Sequence, residues 1–100
     1  IVMNSNEFNE LFKIISKRSK SKDKNSYTSK LLKLGSNKIA QKVGEESAEL
    51  IVDYLNGSKK RTIEEAVDLI YHLFVLLHSK NITYKDVEKE IIKRKNVQRK

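Results

Sequence analysis

Glu46 and Glu49 stand three residues apart in the chain, and so do Glu65 and Asp68. On a helix this spacing puts two carboxylates on neighbouring turns of one face. Their surroundings make them anomalous. At about 100° per residue, Ile39, Val43, Leu50 and Tyr54 fall within roughly 60° of one another, and Glu46 lies on that apolar face with Glu49, Asp53 and Lys42 along its edge. Glu65, Asp68 and His72 form a second stripe, flanked by Leu69 and Leu76 on one side and Val75 on the other. An ionised carboxylate among apolar neighbours is costly unless a cation or a donor meets it. Four carboxylates converging from two helices repel one another unless divalent cations neutralise them, and hard oxygen ligands suit magnesium or manganese. The expected metal ligands are therefore Glu46, Glu49, Glu65 and Asp68. With one imidazole nearby, His72 is either a partner of Asp68 four residues away or a structural histidine.

A blander account exists for each acid alone. Thr62-x-x-Glu65 matches a capping box, and Glu46 and Glu49 could pair with Lys42 on a solvated face. Neither explains Glu46 amid apolar positions or Asp68 inside the most hydrophobic stretch of the chain.

The elements that must carry these residues read as helices. Phe8, Leu11, Phe12 and Ile15 recur at i, i+3, i+4, i+7 behind the possible caps Ser5 and Asn6, predicting a helix to about Ser19. The segment RSKSKDKNSYTS, residues 18–29, reads as a basic loop, and a short helix from Ser29 to Leu34 stops at Gly35. Ser36 is placed as the N-cap of a helix ending near Leu55. Residues 58–61 are read as a connection, and Thr62 as the N-cap of a central helix through AVDLIYHLFVLL at 66–77. Tyr84, Val87 and Ile91 set one face of a last helix on the bundle. The fold class is all-α, a bundle of four to five helices. One domain spans residues 1–100, with its core at about 8–94 and a basic tail at 95–100.

Zero prolines and three glycines among 100 residues favour long helices over a turn-rich sheet protein. A domain of this size is marginal in the core it can bury, so help from oligomerisation is expected. The lack of cysteine removes disulfide frameworks, thiolate nucleophiles and zinc-thiolate sites, and makes a cytoplasmic protein the default. No apolar run approaches the roughly 18 residues of a membrane span. The chain opens on Ile1, which leaves open a processed chain or the downstream half of a longer polypeptide. The net charge of +8 first suggests a nucleic-acid partner. Its distribution argues otherwise: residues 1–44 hold 10 basic and 3 acidic side chains, residues 45–78 hold 3 and 7, and residues 79–100 hold 8 and 3. A local acidic centre sits inside a basic protein.

KVGEESAEL at 42–50 followed by EEAVDLIYHLFVLL at 64–77 resembles the EExxE and ExxD signature of the all-α nucleoside triphosphate pyrophosphohydrolases, the MazG-like superfamily. The flanking text SYTSKLLKLGSNKIAQKVGEE at 26–46 and DLIYHLFVLL at 68–77 narrows this, being similar to the phosphoribosyl-ATP pyrophosphohydrolases of histidine biosynthesis over roughly residues 8–94. The resemblance implies a dimeric helical bundle that uses magnesium to cleave phosphoribosyl-ATP into phosphoribosyl-AMP and pyrophosphate. It maps Glu46 and Glu49 onto the first ligand pair, Glu65 and Asp68 onto the second, and Glu45 onto the leading acid. The SYT segment falls at Ser26, Tyr27 and Thr28. Asp53 extends the acidic strip beyond the family motif and is not counted as a ligand.

That chemistry needs water to attack phosphorus at the α–β junction of a highly charged triphosphate, with a carboxylate to take the water's proton. Glu45, at the edge of the cluster, is the candidate base, a task that Glu46 or Glu49 could share. Lys38 and Lys42 lie one turn apart near the acidic strip, and Arg18 and Lys30 flank the SYT segment, whose hydroxyls and amides would serve an anion-binding turn. Three rivals remain: a house-cleaning hydrolase of ordinary or damaged nucleoside triphosphates, a basic helical module using Lys20, Lys22, Lys24 and the tail on nucleic-acid phosphates, and a structural helical domain. Membrane and nucleic-acid partners are not expected; a nucleotide substrate and a second copy of the chain are.

Overall fold

The structure is a computed structural model and describes residues 6–21 and 26–97. Five helices follow in order: α1 (Glu7–Ser19), α2 (Tyr27–Leu34), α3 (Ser36–Asn56), α4 (Lys59–Ser79) and α5 (Tyr84–Lys95), with no strand among the described residues. The all-α expectation holds. Ser5, Lys22, Lys24 and residues 98–100 of the tail lie outside the described residues.

Local chemistry sets the boundaries. Asn6 caps α1, its Oδ1 accepting from the amides of Phe8 and Asn9 at 3.0 and 3.3 Å. Helix α2 begins at Tyr27, two residues before the position expected for it, because Ser26 accepts from the Ser29 amide at 3.2 Å and supplies a start inside what reads as loop. Ser36 is not the cap of α3. Gly35 alone separates α2 from α3 and ends one helix while opening the next, at φ +95° and ψ 167°, a conformation that a side chain would strain. Thr83 and Asp86 form a reciprocal capping box at the start of α5.

The start of α4 is the correction that bears on function. Ser58 caps it, accepting from the Arg61 amide at 3.1 Å, so α4 begins at Lys59 and not at Thr62. Thr62 lies within the first turn and its hydroxyl reaches the carbonyls of Ser58 and Asp53 at 2.9 and 3.2 Å. Glu65 is thereby removed from any capping box. Gly57 makes the tight connection, since a Cβ there would stand 2.8 Å from the Asp53 carbonyl oxygen.

The two 21-residue helices α3 and α4 form a hairpin that is the main packed pair, with α1 and α2 laid across it. Phe12, Ile15, Leu31, Ile39, Phe74 and Val75 are the buried apolar core, and Phe8 and Tyr84 stack at its edge against Phe74. Asn6 Nδ2 donates to the Tyr84 hydroxyl at 2.9 Å, tying α5 to α1. Only the first turns of α5 dock, because Ile91 is half exposed, contrary to the face expected of it. Tyr54 is also outside, 73 % exposed. At about 1.5 Å per residue, α2 spans only about 12 Å and cannot cover the length of α3, so the distal end of the hairpin is bare.

Candidate metal centre

Glu46 and Glu65 are buried, at 7 % and 4 % exposure, and reach towards each other from α3 and α4. Together with Glu49, one turn along α3, each offers an oxygen that lies within 4.8 Å of the other two. Two cations attend the cluster. Lys42 Nζ stands 3.6 Å from both Glu46 Oε2 and Glu45 Oε1. Arg61 donates to Glu65 Oε2 at 2.9 Å and Glu64 Oε1 at 2.8 Å, and lies 3.6 Å from Asp53 Oδ2.

These contacts leave Glu65 Oε1 buried with no hydrogen-bond partner. A carboxylate oxygen in that position is an uncompensated acceptor beside two further carboxylates, and a hard divalent cation is the species it fits. Burial, reinforced by the negative charge of Glu49 and opposed by Arg61, pushes the Glu65 carboxyl above its ordinary pKa.

Asp68 departs from the expected convergence of four. It is exposed and falls outside the group of three, although its charge still acts on Glu65. Glu49 stands at the same three-residue spacing from Glu46 and does join the group, so spacing alone does not separate them; Asp68 carries one methylene less than a glutamate with which to reach it. Glu45 likewise stands apart. It is exposed, accepts from Gln41 Nε2 at 3.0 Å, and has its pKa lowered by that hydrogen bond and by Lys42.

Behind the cluster, residues from the SYT segment lock onto α4. His72 Nδ1 lies 2.7 Å from the main-chain carbonyl of Asp68, and Nε2 lies 2.7 Å from the Tyr27 hydroxyl. A carbonyl only accepts, so Nδ1 carries the proton and Nε2 accepts from the phenol. Burial raises the pKa of that phenol above its ordinary 10.0, against the pull of Lys42. Both ring nitrogens of His72 are thus satisfied, with the Asp68 backbone and not its carboxylate as partner. Thr28 is fully buried and bonded to the Tyr71 hydroxyl, which also accepts from Arg18 Nη1 at 3.2 Å. Thr28 and Arg18 therefore brace α1 and α2 against α4. Ser26 caps α2, while Lys30 and Lys38 are exposed.

Arg61 is the residue that sequence reasoning missed. Arg61 stands four before Glu65, a helical ion-pair spacing, but it was hidden by reading residues 58–61 as a connection. A cleft of about 630 Å³ between α1 and α5, lined among others by Lys13, His78, Tyr84, Lys85 and Glu88, contains none of the acids of the cluster.

The chain resembles known proteins over nearly all of its length. The family model described as phosphoribosyl-ATP pyrophosphohydrolase matches residues 8–95. A phosphoribosyl-ATP pyrophosphatase of Sulfolobus acidocaldarius is 47 % identical over 92 residues, covering 92 % of this chain and 97 % of the relative. One from Bacillus cytotoxicus is 43 % identical over 84 residues, covering 84 % and 78 %. The histidine biosynthesis bifunctional protein HisIE of Bacteroides thetaiotaomicron is 46 % identical over 80 residues, which cover 80 % of this chain and 39 % of that longer protein. With a family model spanning most of the chain and such identity along whole relatives, this chain belongs to the phosphoribosyl-ATP pyrophosphohydrolase family.

Proposed function

We propose that this chain is a hydrolase that converts phosphoribosyl-ATP to phosphoribosyl-AMP and pyrophosphate in histidine biosynthesis, with magnesium, or manganese in its place, held by Glu46, Glu49 and Glu65 and with Asp68 as the fourth ligand. Family membership supports the reaction. The observation that carries the metal is the orphaned Glu65 Oε1 beside Glu46 and Glu49. Bound there, the cation would supply the charge that offsets the triphosphate oxygens.

The chain's own residues do the rest. Glu45 is ionised at neutral pH, as any carboxyl at or below the ordinary 4.5 is, with Gln41 and Lys42 lowering its pKa further, and ionised is the form in which it takes a proton from the attacking water. Lys42 keeps its charge: burial opposes it, but Tyr27, Glu46 and Glu45 together raise its pKa. With Lys38 and Lys30 it offers cations to phosphates beyond the reacting centre. The SYT segment, at the start of α2, holds that face against α4 and presents amides as helix N-termini do.

A second copy of the chain completes the molecule on this reading. Ile51, Val52, Tyr54, Leu55, Ile63 and Val67 are 54 to 73 % exposed at the bare end of the α3–α4 hairpin. An apolar patch of this kind marks an interface. The radius of gyration, 15.4 Å, exceeds the roughly 13 Å of a compact 100-residue domain, as a half-bundle would. No helix among the described residues is long and apolar enough to cross a membrane, and we place the protein in the cytoplasm.

The deciding assay is pyrophosphate release from phosphoribosyl-ATP with and without magnesium, run beside ATP and other nucleoside triphosphates. Release that requires both phosphoribosyl-ATP and the cation is the expected result. Equal turnover of ordinary triphosphates would shift the reading to a house-cleaning hydrolase.

A further inference from the structure

Arg61 differs from the other cations among the described residues in what it touches. Its guanidinium meets three carboxylates at once: Asp53 of α3, Glu64, and the buried Glu65 of the metal cluster. The two ends of the Arg61–Glu65 pair are unequally free. The arginine side chain is 53 % exposed and the Glu65 side chain 5 %, so the arginine can leave for water while the carboxylate cannot.

The pair also divides Glu65 in two. Oε2 is bonded to the guanidinium, and Oε1 has no partner. The same positive charge that makes three clustered carboxylates tolerable in the metal-free fold repels a dication arriving at the other oxygen. A guanidinium that stays on Glu65 also draws electron density from a ligand, and one that departs must give up its ion pair; both weaken metal binding.

We propose that Arg61 is a built-in counter-ion of the metal centre, holding the acidic cluster together when it is empty and competing with the divalent cation for Glu65. The inference rests on the metal reading given above. Its consequence is a site that stays folded without metal and binds it loosely enough to exchange.

The test uses Mn2+ alone as the probe, without substrate, titrated into the metal-stripped protein by electron paramagnetic resonance and by calorimetry. Arg61→Ala and Arg61→Gln should tighten the Kd for Mn2+ by about tenfold, the scale expected for removing a unit charge several ångströms away in a partly solvated site. The same variants should melt lower than wild type when metal-free and gain more from added Mn2+. Arg61→Lys, which keeps the charge, should stay close to wild type. Should Arg61→Ala not fold without metal, Arg61→Gln, which keeps most of the stem and a donor, carries the measurement. A Kd that is unchanged or weaker in Arg61→Gln overturns the proposal and leaves Arg61 as a brace between Asp53 and Glu65. Wild-type binding that Glu49→Gln abolishes, with the Arg61→Gln Kd unmoved, sinks this inference alone. Wild-type protein that takes up no Mn2+ removes the metal reading and the inference with it.

Discussion

The Tyr27 hydroxyl donates to His72 Nε2 at 2.7 Å, joining the first residue of α2 to the middle of α4 across 45 positions of sequence. Because His72 Nδ1 is committed to the Asp68 carbonyl, this bond fixes both the ring and its tautomer. Tyr27→Phe removes the donor and leaves a buried ring nitrogen unpaired. A loss of about 1 to 2 kcal/mol in unfolding free energy is expected. Nitrogen NMR of the His72 ring should show the Nε2 signal shifting as its donor is lost while Nδ1 keeps its proton on the Asp68 carbonyl, and unchanged ring signals would count against the assigned bond.

Glu65 sets function against stability. Its folded-state pKa lies above the ordinary 4.5, so the native protein binds its proton more tightly than the unfolded chain does. The penalty for ionisation is full above the raised pKa and is relieved as pH falls from there towards 4.5. Glu65→Gln should therefore raise the melting temperature of metal-free protein at neutral pH while abolishing metal-dependent turnover. That gain should shrink when the melts are repeated near pH 5. A lower melting temperature in chelator at neutral pH would show that the Arg61 ion pair outweighs the burial of the charge.

Glu45→Gln separates proton transfer from metal binding. The side chain lies outside the group of three acids, so the amide should leave the Kd for Mn2+ within about twofold while turnover falls by about 10²-fold or more. Near wild-type turnover would pass the base role to Glu46 or Glu49.

The exposed end of the hairpin should hold the dimer. Ile51→Asp and Val67→Asp change residues that are more than half exposed in one copy, so the isolated fold loses little from either. Sedimentation velocity should show dimeric wild type and monomeric variants. Variants that sediment as wild type would move the interface elsewhere.

Local rules carried far along this chain. Asn6 and Gly35 punctuate helices where their chemistry says they should, and the 3.6-residue period puts Phe12, Ile15 and Ile39 inside. Helix starts were the weak point. Ser58 and Thr62 are equally good caps by residue type, and only the packing of the α3–α4 turn, where Thr62 reaches the Asp53 carbonyl, chose between them. Arg61 is invisible to those local rules, since a residue in a connection has no helical neighbours.

Spacing and residue type alone determined the all-α fold and an acidic pair on each of two helices, because those follow from the period of one helix at a time. Which acids meet depends on how two helices are rotated against each other, and no single period contains that angle. Tertiary structure therefore decided that Glu46, Glu49 and Glu65 gather while Asp68 stays at the rim. It also decided that Thr28 and Arg18 spend their polar groups on Tyr71, and that Tyr54 stands in water at the bare end of the hairpin.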